Sequence, residues 1–118
     1  MTHIVQYIIL RSDLKNYTTG MLTAQACHAC ISANEKFKNN SDTVEYLKDI
    51  KNMKKVILKA DNEQFEILKS KLFENHFDFI IWLEFPEKIE TALALRPYEI
   101  KNETGKKLKE ILKKLKLY

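Results

Sequence analysis

Four short apolar runs, Ile4–Leu10, Val56–Leu58, Phe79–Trp82 and Thr91–Leu95, alternate with longer segments whose apolar residues recur every three or four positions. Runs this short, rich in β-branched and aromatic residues, suit buried strands rather than helices. Between them, Leu22, Ala26, Ala29 (with Cys30), Ala33 and Phe37 form the stripe of a helix over about residues 20–37, which Thr18 or Thr19 can cap. Asp42-x-x-Glu45 reads as the capping box of a short helix with Val44, Leu47 and Ile50 turned inward. Asp61-x-x-Gln64 does the same for a helix that buries Phe65, Leu68 and Leu72, and Asn102 can cap a last helix carrying Leu108, Ile111, Leu112 and Leu115. The order β-α-α-β-α-β-β-α predicts an α/β fold. We expect a single domain over residues 1–118, in three layers, with a four-stranded, mixed but mostly parallel sheet flanked by helices.

With 45% hydrophobic and 31% charged residues, the composition is that of a soluble globular protein. No run is long enough to cross a bilayer. Ile4–Leu10 is interrupted by Gln6 and lacks a basic flank, so it does not read as a signal peptide. A cytoplasmic protein without a membrane partner is the expectation. The formal net charge is +4, and it is unevenly placed: residues 101–118 hold seven lysines against Glu103 and Glu110, which leaves the rest of the chain near neutral. One basic end suggests a phosphate-bearing partner met at one face, or else a solvated surface helix.

Open α/β sheets bind ligands beyond the carboxyl ends of their strands. The first strand leads into residues 11–19 and the third into residues 84–90, and the first helix starts at that edge, where its free N–H groups favour an anion. The pattern therefore predicts a pocket bounded by residues 11–20, the stripe Met21, Gln25, His28 on the first helix, and Glu84. A histidine titrates near neutral pH and can shuttle protons, but a lone helical histidine also serves as a structural hydrogen bonder. Glu84, beside Trp82, is expected to have its pKa raised by desolvation. The cluster Cys27-His28-Ala29-Cys30 lacks a second Cys/His group to complete a zinc site, and its cysteines lie two turns inside the helix rather than at its start. They read as small packing residues. No metal and no nucleotide-binding glycine pattern is expected in a chain with two glycines.

Arg11-Ser12-Asp13-Leu14, followed by Gly20-Met21-Leu22-Thr23-Ala24-Gln25-Ala26-Cys27-His28-Ala29, resembles the hallmark run R-x-D-L-x-M-G-x-G-K-x-A-A-Q-x-x-H-A of the type II (archaeal and eukaryotic) peptidyl-tRNA hydrolases. Lys55-Val56-Ile57-Leu58-Lys59, Thr91-Ala92-Leu93-Ala94-Leu95-Arg96-Pro97 and the ending Leu115-Lys116-Leu117 are similar to later runs of that family. The resemblance implies a four-stranded mixed sheet between helices, hydrolysis of the ester joining a peptide to the 3′ end of tRNA, no cofactor, and a homodimer, which members commonly form. It places catalysis on Gln25 and His28. It also suggests the acceptor-arm phosphates for the basic last helix (Lys106, Lys109, Lys113), with Lys48, Lys51, Lys54 and Lys55 as further candidates. Asp13, Gly20, Met21 and Thr91 would line the pocket, and Arg11, Lys15 and Arg96 would stand among the RNA-binding residues.

Two departures separate this chain from the hallmark. The family's lysine after the hallmark glycine is Met21, and the D-A-G-x-T segment carrying a catalytic aspartate is replaced by Trp82-Leu83-Glu84-Phe85-Pro86-Glu87. Both features look like the divergent branch of peptidyl-tRNA hydrolase domain-containing proteins. Glu84 is the stand-in for the aspartate; for the lysine, Lys15 or Arg96 are the residues that could reach the site. The leading reading is an esterase using Gln25, His28 and Glu84. Its rival is a catalytically impaired RNA-binding or adaptor protein.

Overall fold

The computed structural model describes residues 3–118. Along the chain run β1 (Ile4–Arg11), α1 (Thr19–Lys36), α2 (Ser41–Lys48), a 3-10 turn (Ile50–Asn52), β2 (Lys55–Ala60), α3 (Asn62–Glu74), β3 (Phe79–Glu84), β4 (Ile89–Leu95), β5 (Tyr98–Glu99), α4 (Glu103–Leu112) and β6 (Lys116–Leu117). The expected order holds, with two additions. The mixed sheet has six strands rather than four, because β5 and β6 are two-residue strands with no periodicity to read. Its order is β3-β4-β1-β2-β6, with β5 paired to the start of β1. Among the described residues the one parallel pairing is β1 with β2, and every other pairing is antiparallel. The expectation of a mostly parallel sheet is therefore wrong. β3 and β4 form a tight hairpin that docks β4 antiparallel to β1, so no crossover helix joins them. β3 still runs in the direction of β1, and both end at the same edge.

β1 is central and buried on both faces, which is why it reads as an unbroken apolar run. Val5, Tyr7 and Ile9 join Phe65, Leu68 and Leu72 of α3 and Leu108 and Leu112 of α4 in one core. Ile8 and Leu10 face the other way, against Ala29, Cys30 and Ala33 of α1. Ala29 and Ala33 meet Ala92 and Ala94 of β4, all four fully buried, so small residues on both sides bring α1 close to the sheet. Thr18 caps α1 by accepting from Met21 N–H. Asp61 and Gln64 form the expected capping box of α3, and Asn102 caps α4 through Gly105 N–H.

α2 departs from expectation. Asn40, not Asp42, is its N-cap, and Val44, Leu47 and Ile50 are exposed while Thr43 and Tyr46 are buried. The helix is rotated because Tyr46 turns inward to donate to the Lys54 carbonyl at 2.9 Å. Asp42 instead accepts from Glu99 N–H at 3.0 Å, tying α2 to β5. α4 ends at Leu112, and Leu115 lies in the turn that feeds β6.

Gly105 sits in the first turn of α4, where a Cβ would overlap the Glu99 carbonyl and the backbone of Ile100. That overlap is with backbone, which cannot rotate away. Gly105→Ala is expected to destabilise the fold by about 2 kcal/mol through overpacking, despite alanine's better helix propensity. Urea unfolding measures this; an unchanged midpoint would show that the β5–α4 junction yields freely.

Candidate active site

A bulge in β4 builds the centre of the site. Trp82 pairs with Ala92 but Leu83 pairs with Glu90, so Thr91 is the extra residue. An extra residue breaks the alternation of side chains and re-aims one of them. Ala92 and Ala94 point at α1 as alternation requires, and the bulge turns Thr91 to the same face. There its hydroxyl, fully buried, donates to Gln25 Oε1 at 2.9 Å.

Gln25 is itself buried, on the flank of α1 that faces β3 and β4. Its amide nitrogen donates to Glu84 Oε2 at 2.7 Å. The orientation is unambiguous, because an ionised carboxylate only accepts and so must face the amide nitrogen. The other carboxylate oxygen, Oε1, accepts from the Trp82 indole at 3.3 Å. His28, exposed and one turn beyond Gln25, stacks on the Trp82 ring with centroids 4.8 Å apart and planes 28° apart. Thr91, Gln25, Glu84, Trp82 and His28 thus form one connected set, running from the buried sheet to solvent.

The carboxyl of Glu84 is held below the usual carboxylate range, first by the Gln25 hydrogen bond, with further support from the Trp82 indole and the nearby His28. Desolvation opposes this and loses, so the expected upward shift is reversed. The reason is geometric: the side chain is only partly covered, and two donors point straight at its oxygens. Glu84 is therefore an anion at neutral pH. Each of its oxygens keeps a lone pair for a water.

Other expected site residues take different positions. Arg11 donates to Asp13 at 2.7 Å and to the Glu90 carbonyl at 3.1 Å, while Asp13 also accepts from Asn62 N–H. The Arg11 guanidinium holds the Asp13 carboxyl below its usual range. This pair ties the β1–α1 loop to the start of α3 and to β4. Lys15 is exposed in that loop, and Gly20 and Met21 lie in the exposed first turn of α1. Arg96 is far from Glu84, at the opposite end of the β3–β4 ladder. It is occupied there by Asp78 at 2.8 Å and by the Tyr98 ring, 3.6 Å below its guanidinium carbon. It cannot stand in for a lysine at the site. Lys106 and Lys109 project from α4 and Lys113 directly follows it, and α4 packs on the sheet face opposite α1. Lys113 pairs with Glu110. Cys30 is a packing residue as expected, but Cys27 is exposed. Among the described residues no group of three or more His, Cys, Asp or Glu is placed to hold a metal ion.

Sequence reasoning missed Trp82 as a site residue; its two-residue spacing from Glu84 on one strand is the signal that places both on one face. It also missed a buried polar network on the far side of α1. Gln6, fully buried, accepts at Oε1 from Lys55 Nζ at 2.7 Å and Cys30 Sγ at 3.2 Å, and its amide nitrogen donates to Asn34 Oδ1 at 2.9 Å.

Comparison with known proteins bears on this geometry. Residues 4–118 match the family Peptidyl-tRNA hydrolase PTH2. The chain is 40% identical over 112 residues to "Putative peptidyl-tRNA hydrolase PTRHD1" of Homo sapiens, covering 91% of this chain and 79% of that protein. It is 38% identical over 120 residues to the Mus musculus protein of the same name, covering 98% and 82%. Among solved structures, Atu0240 of Agrobacterium tumefaciens C58, a protein of unknown function, superposes with a TM-score of 0.65 at 14% identity, covering 100% of this chain and 99% of that one. That similarity speaks for the fold alone.

Proposed function

This chain belongs to the peptidyl-tRNA hydrolase PTH2 family, and from that premise we propose that it hydrolyses the ester between a peptide and the 3′ end of tRNA at the Gln25–Glu84–His28 centre. The observation that carries the assignment of residues is the hydrogen-bonded chain from Thr91 through Gln25 to an ionised, partly exposed Glu84. Ester hydrolysis needs a positioned water, an acceptor for its proton and a donor for the oxygen that becomes negative. Glu84 holds the water through a free lone pair. His28, stacked beside it, takes the water's proton and returns it to the 3′ oxygen of the ribose as the acyl–oxygen bond breaks, since a carboxylate with a lowered pKa is a poor base. Gln25 spends one of its two amide hydrogens on Glu84 and keeps the other for the carbonyl oxygen. Thr91 locks that amide in place. tRNA is the partner in this reading, the cytoplasm its place of action, and no cofactor is required. A homodimer is part of the proposal, to be checked by sedimentation.

The test is release of free tRNA from purified peptidyl-tRNA. Tight, salt-sensitive tRNA binding without release would favour the RNA-binding or adaptor alternative, for which the missing lysine at Met21 speaks. The pH dependence follows from the lowered pKa of Glu84. Its anionic form is present above the ordinary carboxylate range and is lost only as pH falls through the depressed value. The rate is therefore expected to show no loss from Glu84 within the ordinary carboxylate range, its acid limb lying below that range. His28→Ala should lower the release rate about 10²-fold or more; full release by that variant would move the base elsewhere.

A further inference from the structure

α1 packs on β1, β3 and β4, and on its other flank a groove of about 650 Å³ lies between the helix and the exposed part of the sheet. Ile8, Leu10 and Ile57 form its floor, and Leu22 and Ala26 one wall. Tyr17 stands at one end, Lys55 at the other, and Tyr118 on the wall facing α1. Among the described residues no Asp or Glu side chain lines it. Lys59 and Lys116 sit directly opposite one another on β2 and β6. Strand alternation puts Lys59 on the face of Ile57, so the pair stands on the groove's face of the sheet, beside the groove and outside its lining. Like charges directly opposite each other are destabilising. Neither lysine has an ion-pair partner among the described residues. An edge lysine deters unwanted strand pairing, but one would suffice for that.

From this charge pattern we infer that the groove receives the single-stranded 3′-terminal nucleotide of tRNA, its base between α1 and Tyr118 and its phosphate on Lys59 and Lys116. The inference rests on the hydrolase reading above. An anion relieves the repulsion of the lysine pair, and a base supplies a flat apolar face for the tyrosine, as in single-strand recognition generally. The register gives the direction. Lys59 lies level with Leu10, at the end of β1 that leads to Tyr17 and the start of α1. The Tyr17 hydroxyl donates to Glu87 at 3.4 Å, in the turn directly after Glu84. A ribose at that end of the groove can pass its 3′ oxygen over the first turn of α1 to the candidate centre. At the other end, two of the three Lys55 N–H groups are used, by Gln6 and by Tyr46 at 3.2 Å. The third is available to an acceptor on the base. A peptide would find the floor suitable but offers nothing to the lysine pair.

The experiment titrates the ribotrinucleotide CCA, and separately an apolar N-acetyl dipeptide, into the protein and follows amide resonances of Cys27, Ile31 and Ile57. CCA is expected to move them and the dipeptide not. Lys59→Glu with Lys116→Glu should weaken CCA at least tenfold and reduce the slope of log K against log salt by about 0.7 for each phosphate no longer neutralised. It should raise KM for peptidyl-tRNA while sparing kcat. Tyr118→Ala, at an exposed residue, gives a second variant that leaves the fold intact. CCA binding untouched by either variant, or dipeptide occupying the groove, would overturn the inference. Unchanged KM with full turnover removes the groove and leaves the hydrolase reading standing. CCA bound in the groove of a protein that never releases tRNA leaves the groove standing and removes the hydrolase.

Discussion

Glu84→Gln is expected to lower kcat/KM for peptidyl-tRNA about 10²- to 10³-fold while leaving tRNA affinity within about twofold. The substitution is nearly isosteric, and a glutamine there can still accept from the Gln25 amide through its one oxygen, while its NH2 group then faces the Trp82 indole N–H. What it removes is the negative charge that holds the water and stabilises a protonated His28. Because those two donors lower the pKa of the wild-type carboxyl, its charge is present at neutral pH and is lost only below the ordinary carboxylate range. The deficit should therefore be present throughout the pH range above the ordinary carboxylate value. The measurement is single-turnover release of tRNA, with thermal unfolding as the control. A partly exposed position should leave the unfolding temperature almost unchanged. Full activity in Glu84→Gln would refute the role given to this carboxylate and direct attention to His28 alone. Loss of activity accompanied by loss of tRNA binding would mean that Glu84 organises the binding surface and not the reaction.

The sequence is informative where one local rule decides the outcome. Thr18, Asp61 and Asn102 cap the helices that the pattern assigns to them, because a side chain reaching the N–H two or three residues on is a local event. The pattern also puts Gln25 and Glu84 at one edge, and they share it, since β1 and β3 run the same way. The failures are non-local. Nothing in residues 79–95 says that their hairpin will dock antiparallel beside β1. Tyr46 buries a ring that periodicity assigns to the surface, because it has a distant partner in the Lys54 carbonyl. The lowered pKa of Glu84 needs the positions of Gln25 and the Trp82 indole together, and the inward turn of Thr91 needs the bulge. Arg96, a candidate from its charge alone, is held by Asp78 at the wrong end of the sheet.

Met21→Lys is the converse of the first expectation: a gain of about 10²-fold in kcat/KM over wild type. Position 21 lies one turn before Gln25 on the same side of α1, since residues four apart are neighbours. Its side chain is 44% exposed, so a lysine fits without repacking. The helix start carries a positive dipole end, and a lysine there should cost about 0.5 kcal/mol of stability. Such a cost is tolerable only where an anion is met, and Glu84 bound to Gln25 lies one turn away. An ammonium beside the developing oxyanion supplies what a thioether cannot, since charge placed where charge develops is usually the largest catalytic contribution. The increase should be in kcat, and Met21→Arg should reproduce less of it because its wider fork cannot follow the same path. Pairing Met21→Lys with Glu84→Gln separates two explanations. If the lysine acts through Glu84, the double variant gains little over Glu84→Gln. If it acts on the oxyanion directly, the gain survives. A fall in activity on Met21→Lys would show that this centre works without a cation, and that Met21 belongs to a different arrangement of the same reaction.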